Sequence, residues 1–361
     1  MTIRLLPSTL INRIAAGEVI ERPASAVKEL VENAIDAGAT QIDISLEEAG
    51  KNAIIISDNG KGMNREELTL AVQRHATSKL PSDDLLDIRT LGFRGEALPS
   101  IGSVSRMTIE SRARGEAEAW QISIEAGDVS APRPAARSVG TRISVRDLFF
   151  ATPARLKFLK SDRSETGQVQ DVIRRLAMAN PNISFSLMID GKASLRMDGA
   201  QGDLLDARLA RLSDLMGKEF ADNALALAMQ RENIRLSGFA ALPTFNRGTS
   251  SEQYLFVNSR PVRDRLLLGV VKAAYQDVLA HDRHPVVALF LDLPPEEVDV
   301  NVHPAKAEVR FRDQQQVRGL IIGGIRHALA EAGFRTSSSA SNDALTRFIP
   351  SQNFARTAQP T

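Results

Sequence analysis

Apolar positions Val27, Leu30, Val31, Ala34 and Ile35 recur at helical spacing. They predict helix over most of residues 8–37, capped at Ser25 and ended by Gly38-Ala39-Thr40. Two strands follow: residues 41–46 alternate with Ile42, Ile44 and Leu46 on one face, and Ala53-Ile54-Ile55-Ile56 is a buried-type run. Residues 64–72 read as helix, with Asn64 as cap and Glu66 and Glu67 in the first turn. Residues 73–99 hold Pro81, Gly92, Gly95 and Pro99 without clear periodicity, which predicts a functional lid. Strands near 104–111, 119–125 and 141–146 predict a meandering antiparallel sheet, and residues 169–178 a helix stopped before Pro181.

The pattern breaks between Gly191 and Gly202 and then resumes in a different order. A helix (203–216) precedes strands at about 224–240 and 253–257, a helix (264–279), strands (286–293 and 307–311) and a helix (314–332). There is no internal repeat. The reading is an α+β protein of two domains, residues 1–200 and 203–335, with a serine-rich polar tail at 336–361. Such a tail is expected to be a linker, which suggests that the chain is a fragment or that a further domain has been lost.

Composition narrows the classes. At 43% hydrophobic and 25% charged residues the chain is ordinary globular material, and 361 residues fit about two domains. A net charge of +1 points to no polyanion, so any basic surface must be local. With no cysteine, disulfides, thiolate zinc sites and cysteine nucleophiles are excluded, and a reducing compartment fits. The first seven residues lack a signal-peptide core, and no stretch approaches the roughly 18 apolar residues of a membrane span. A soluble, intracellular protein is expected.

The candidate chemistry is scattered. At about 100° per residue, Glu29, Asn33 and Asp36 fall within an arc of roughly 60°. A carboxylate there could orient water and an amide oxygen could hold Mg²⁺, which takes few protein ligands. The same arc, flanked by Lys28 and Glu32, also reads as a solvated face. Asp58-Asn59-Gly60-Lys61-Gly62-Met63 follows a strand; it fits a carboxylate for adenine's amine with glycines allowing close approach, or a plain hairpin turn. Gly92-Phe93-Arg94-Gly95-Glu96-Ala97-Leu98 opens a helix, where backbone N–H groups suit phosphate. It is neither a Walker loop nor a dinucleotide fingerprint. His75-Ala76-Thr77-Ser78-Lys79 offers two hydroxyls and a cation, and Gly140-Thr141 opens a later strand. Two basic groups, Arg155 with Lys157, Lys160 and Arg163, and Arg260 with Arg263 and Arg265 near Arg247, could meet phosphate backbones or be ordinary surface. The five histidines form no metal-spaced cluster.

In this order the motifs resemble the MutL family of DNA mismatch-repair ATPases, within the GHKL superfamily. The resemblance covers about residues 3–335, and Ala16-Gly17-Glu18-Val19, Phe93-Arg94-Gly95-Glu96-Ala97-Leu98 and Val302-His303-Pro304-Ala305-Lys306 are its most specific strings. It implies an ATPase domain with a mixed, mainly antiparallel sheet and a smaller second α/β domain like that of other GHKL proteins. It further implies that Glu29 is the base activating water, Asn33 the Mg²⁺ ligand with Asp36 beside it, and Asp58 and Thr141 the adenine contacts, with Gly60 and Gly62 leaving room. Thr77, Ser78, Lys79, Gly92, Phe93, Arg94, Gly95, Glu96, Ala97 and Leu98 would hold the phosphates. Lys306 would reach the γ-phosphate from the second domain, and Arg265, with Arg260 and Arg263 nearby, would contact DNA.

The implied protein is a slow, cytoplasmic bacterial ATPase switch, recruited to the nucleoid during repair. It forms a homodimer through its N-terminal region on binding ATP. Its implied partners are DNA, a mismatch-recognition protein, a strand-specific endonuclease and a helicase, with no membrane. Ala151 and Leu156 depart from residues common in the family, and the family's C-terminal dimerisation domain and metal-binding endonuclease motif are not in this chain. Rival readings are a sensor histidine kinase, disfavoured because no histidine precedes His75, a type II topoisomerase ATPase domain, and a non-hydrolysing DNA-binding scaffold.

Overall fold

The computed structural model describes residues 16–17, 19–79, 90–92, 95–300 and 308–333. Expectations on Pro81, Phe93, Arg94, the 301–306 run with Lys306, and the 336–361 tail lie outside them.

Helix α1 spans Pro23–Asp36. Its start corrects the expectation at Ser25: Arg22 is the cap, extended and without a side-chain bond, and Pro23 fills the first turn. Proline's fixed φ suits that position, where its missing N–H would have had no helical partner. After Gly38 the chain enters β1 (Gln41–Glu47) and β2 (Ala53–Asp58), then α2 (Arg65–Ala71). Asn64 does cap α2: its side chain accepts from the Glu67 N–H at 2.8 Å, while Glu67 accepts from the Asn64 N–H at 3.0 Å. The Asp58 turn is therefore no hairpin, since it leads from a strand into a helix.

Next come α3 (Ala97–Val104), β3 (Arg106–Arg112), β4 (Ala119–Glu125), β5 (Gly140–Arg146) and α4 (Asp162–Ala179), then β6 (Ser184–Ile189) and β7 (Lys192–Met197). Helix α4 starts seven residues before the expected 169, because its first two turns are polar and carry no apolar period. With short strands at Asp128–Val129 and Arg133–Ala135, these form a sheet of nine strands among the described residues. Its main order is β4-β3-β5-β2-β1-β6-β7, antiparallel except for β1 beside β6. This is not the simple meander expected, because β5 inserts between β3 and β2. Ile42, Ile44, Leu46, Met107, Ile109, Ile143 and Val145 point from alternate positions into one core beneath α1, α3 and α4.

The second part comprises α5 (Leu204–Met216), β8 (Ala224–Arg231), β9 (Ile234–Ala241), β10 (Gln253–Val257), β11 (Arg260–Val262), α6 (Arg265–Ala274), β12 (Val287–Asp292) and α7 (Gln314–Glu331). The stretch expected as strand at 224–240 is a hairpin turning at Glu232, φ +52°, and α6 ends five residues before 279. The sheet order is β8-β9-β12-β10-β11, with β10 parallel to β12. Every residue of β10 is buried because both faces are covered. Leu255, Val257, Leu289 and Leu291 pack with α6 and α7. Tyr254, Phe256, Ala288 and Phe290 pack with α5 and the end of α4, and Phe256 stacks on Phe290 at 4.6 Å. The second sheet thus shares an apolar junction with the end of α4.

Candidate functional site

Between α1 and the central strands β2 and β5 of the first sheet lies a cavity of about 630 Å³, within the range of small-molecule sites. Strands β2 and β5 contribute Ile56, Asp58, Thr141 and Ile143; α1 contributes Glu29, Leu30, Asn33, Ala34 and Asp36, and Ala37 follows at its end. Met63, Leu70, Ala71 and residues 75–79, 90, 92 and 95–99 close the rim.

The polar face of α1 is only partly exposed and turns into the cavity. Glu32 is fully buried and pairs with Lys28 at 3.0 Å, and Lys28 also lies 3.8 Å from Glu29. Helical geometry places Glu29, Asn33 and Asp36 along one wall because they sit on successive turns.

At the sheet end, Asp58 Oδ1 accepts from the Gly60 N–H at 2.9 Å and the Thr141 N–H at 3.3 Å. Burial pushes the Asp58 carboxyl above its usual range, while those two bonds and the Arg137 guanidinium pull it back. Arg137 donates to Ser57 Oγ at 2.9 Å and to the Asp58 carbonyl at 3.2 Å. Thr141 and Ser111 share a hydroxyl bond of 3.0 Å, and Ser111 also accepts the Met63 N–H. The result is a carboxylate and a hydroxyl at fixed positions on an apolar floor.

At the opposite end, the Lys79 ammonium donates to Asn33 Oδ1 at 2.7 Å and to Asp36 Oδ2. The Asp36 carboxylate also accepts the N–H groups of Leu91 at 3.0 Å and Gly92 at 3.1 Å. A Cβ on Gly92 would lie 3.0 Å from Lys79 Nζ, so the glycine lets the backbone come close to this cluster without displacing the lysine. Asn33 and Asp36 are hard oxygen donors already turned to a cation, which fits Mg²⁺. No cluster of three or more acidic, histidine or cysteine ligands occurs among the described residues, so a metal here would draw its other ligands from water and phosphate. Thr77 and Ser78 line the same end, and Ala97 and Leu98 begin α3, whose first N–H groups have no helical acceptor.

The glycines of the Asp58 loop act differently from expectation. Gly62, at φ +67°, would drive a Cβ to 1.9 Å from the Arg112 carbonyl, so it makes room for protein backbone while lining the cavity. Gly60 does not line the cavity; it holds the turn that aims Asp58. Asn59 ties the same turn to β1 by accepting the Thr40 and Gln41 N–H groups.

Arg260 also departs from expectation. It is 4% exposed and donates to the Leu91 and Thr90 carbonyls at 2.9 and 3.1 Å, so it is turned away from any DNA in this conformation. Arg263 and Arg265 are exposed, and Arg263 reaches Asp171 at 2.8 Å. In the other basic group, Arg155 is committed to the Ile20 carbonyl at 2.9 Å.

The chain is similar to known proteins in both parts. Residues 20–143 match the family described as histidine kinase-, DNA gyrase B- and HSP90-like ATPase, and residues 212–330 match the C-terminal domain of DNA mismatch repair protein. The DNA mismatch repair protein MutL of Rhodospirillum rubrum is 63% identical over 100% of this chain and 57% of its own length. That of Phenylobacterium zucineum is 60% identical over 97% of this chain and 58% of its own. The chain belongs to the MutL family of DNA mismatch-repair proteins. It spans a little over half the length of these MutL relatives.

Among solved structures, the Aquifex aeolicus MutL ATPase domain complexed with ADP covers 84% of this chain and 98% of its own, at a TM-score of 0.60 and 28% identity. An N-terminal domain of a DNA repair protein covers 94% and 100%, at a TM-score of 0.73 and 26% identity. This MutL chain therefore carries a GHKL-type ATPase domain of mixed sheet and helices. Glu29, Asn33, Asp36, Asp58, Gly62, Thr77, Ser78, Lys79, Gly92, Gly95, Glu96, Ala97, Leu98 and Thr141 converge on one cavity. Arg137 and Ser111, which position Asp58 and Thr141, carried no local signal: Ser111 meets Thr141 through strand pairing, and Arg137 reaches Asp58 from the loop before β5.

Proposed function

We propose that this chain is the ATP-operated part of a mismatch-repair switch. It binds ATP with Mg²⁺, hydrolyses it slowly, pairs with a second copy through its N-terminal region, and relays that state to DNA and downstream repair factors in the bacterial cytoplasm. The carrying observation is the convergence of Asn33, Asp36, Lys79 and Gly92 at one end of a cavity whose other end presents Asp58 and Thr141. The ADP held by the Aquifex relative supports the same reading.

In this reading Asp58 accepts from the exocyclic amine of adenine, with Thr141 beside it, and Met63, Leu70 and Ile143 cover the apolar base. Thr77, Ser78, Lys79 and the N–H groups from Arg94 to Leu98 bind the phosphates. Mg²⁺, held by Asn33 with Asp36 nearby, supplies positive charge to the phosphate oxygens. Glu29, one turn before Asn33, accepts a proton from the attacking water as the γ-phosphorus–oxygen bond to ADP breaks. Residues 1–200 and 203–335 act as two domains, with Lys306 completing the site from the second. Exposed Arg263 and Arg265 offer charge to DNA phosphates. No described helix is long and apolar enough to cross a membrane.

The test is Mg²⁺-dependent ATP turnover of Glu29→Ala beside wild type. A loss of at least about 100-fold, with binding of a non-hydrolysable analogue retained, is expected for removal of a general base. Unchanged turnover sinks the role of Glu29. Sizing the chain with and without the analogue tests the pairing, which a monomer in both conditions would refute.

A further inference from the structure

We propose that Arg260 is a positioning residue for the ATP site. Its guanidinium, carried by the second sheet, holds the backbone of residues 90–92 against Asp36, so the phosphate end of the cavity depends on how that sheet is docked. The inference rests on the ATP reading for its functional consequence.

Residues 90–92 are gripped from two sides. Their N–H groups face α1, where Leu91 and Gly92 donate to the two Asp36 carboxylate oxygens at 3.0 and 3.1 Å. Their carbonyls face β11, where Arg260 Nη1 donates to Leu91 at 2.9 Å and Nη2 to Thr90 at 3.1 Å. Two neighbouring carbonyls are matched by the fork of one planar guanidinium, which a lysine ammonium cannot reproduce. The segment thus bridges α1 and the second sheet, with Gly92 at the point where Asn33, Asp36 and Lys79 meet.

The arginine is fixed in turn. It directly follows the Asn258-Ser259 hairpin turn, both at left-handed φ (+48° and +62°), and pairs with Val257 of β10. Such a turn sets strand register and hence the direction of the next side chain. Just after β11, Arg263 donates to Asp171 of α4 at 2.8 Å, and Asp171 also accepts from Arg175 at 3.0 Å. Burying a guanidinium is costly unless its charge and donors are compensated. Here burial pushes the Arg260 pKa down, and the carboxylates of Glu32, Glu29 and Asp36 on α1 pull it back up. A buried cation that satisfies backbone of the site from one side and is balanced by the site's own helix from the other couples the two. By linkage, a ligand that fixes Asp36 and Gly92 also favours the docked position of β11.

The experiment compares wild type, Arg260→Met and Arg260→Lys in two measurements. One is amide hydrogen exchange at Leu91 and Gly92 without nucleotide. The other is affinity for a non-hydrolysable ATP analogue with Mg²⁺. Arg260→Met is expected to exchange at these two amides at least tenfold faster, with amides of α1 and β10 unchanged, and to bind the analogue at least tenfold more weakly. Arg260→Lys, which reaches one carbonyl at a time, falls between. Wild-type exchange in a folded variant overturns the clamp, and faster exchange with wild-type affinity overturns its link to the site. Should Arg260→Met not fold, Arg260→Lys decides on the same two readouts. If wild type binds no analogue, the ATP reading fails, while the exchange comparison still decides the clamp.

Discussion

Replacing Arg211 with methionine should weaken the junction between the two sheets more than most changes in the core. Arg211, on α5, is 1% exposed and donates to four backbone carbonyls: Ala177 at 3.1 Å, Pro181 and Ile183 at 2.9 Å, and Asp198 at 2.8 Å. These acceptors belong to the end of α4, the turn after it and the end of β7, so one side chain from the second part closes the first. Methionine keeps much of the apolar volume and removes every donor. A buried carbonyl left without a donor costs about 1–3 kcal/mol, and a bond from a charged donor contributes about 1.5–3 kcal/mol. Removing the guanidinium returns a desolvation cost of several kcal/mol, so the net loss expected is about 3–5 kcal/mol. The chain's single tryptophan, Trp120, lies in β4 and reports the first sheet. Urea unfolding followed by Trp120 fluorescence and by circular dichroism should show a lower midpoint in the variant, and the two probes should no longer coincide. A loss below about 1 kcal/mol, with coincident probes, would falsify the assignment of Arg211 as the staple of the junction.

Gly62→Ala should cost at least about 2 kcal/mol, because a left-handed φ is combined with a Cβ driven into the Arg112 backbone carbonyl; a wild-type melting temperature would refute the crowding. For Asp58, burial raises the carboxyl above its usual 3.8, so the folded chain holds this proton to higher pH than the unfolded chain. Its contribution to stability is therefore present below the unfolded value and is lost as pH rises through the folded one. Adenine recognition runs the opposite way, since it uses the carboxylate, so nucleotide affinity should fall as pH drops through the raised pKa. Titrating analogue affinity against pH checks this, and Asp58→Asn should flatten the acid limb; an acid limb unchanged in that variant counts against Asp58.

Local chemistry carried much of the secondary structure. The alternation Ile42, Ile44, Leu46 became β1 with those residues buried, and the Asn64 cap formed with its reciprocal Glu67 bond. Ser25 misled because Pro23, two residues earlier, could already start the helix. The hairpin at Glu232 was hidden inside a run whose apolar content reads as one strand. At the site, the arc of Glu29, Asn33 and Asp36 follows from helical spacing alone. Whether that arc met water or a cavity was not legible, because solvation depends on what packs opposite.

The sequence by itself determined most of the elements, the order of the motifs and the family to which they belong, because hydrophobic period, caps and short motifs are local properties of the chain. Only the tertiary structure decided which polar groups share an environment. Asp36 meets Leu91 and Gly92 across 55 residues or more, and Arg260 meets the same segment across about 170. Arg260 looks like a surface arginine in the sequence, beside Arg263 and Arg265. It is buried because the docking of the second sheet brings its guanidinium to the Thr90 and Leu91 carbonyls, and no local pattern encodes that meeting.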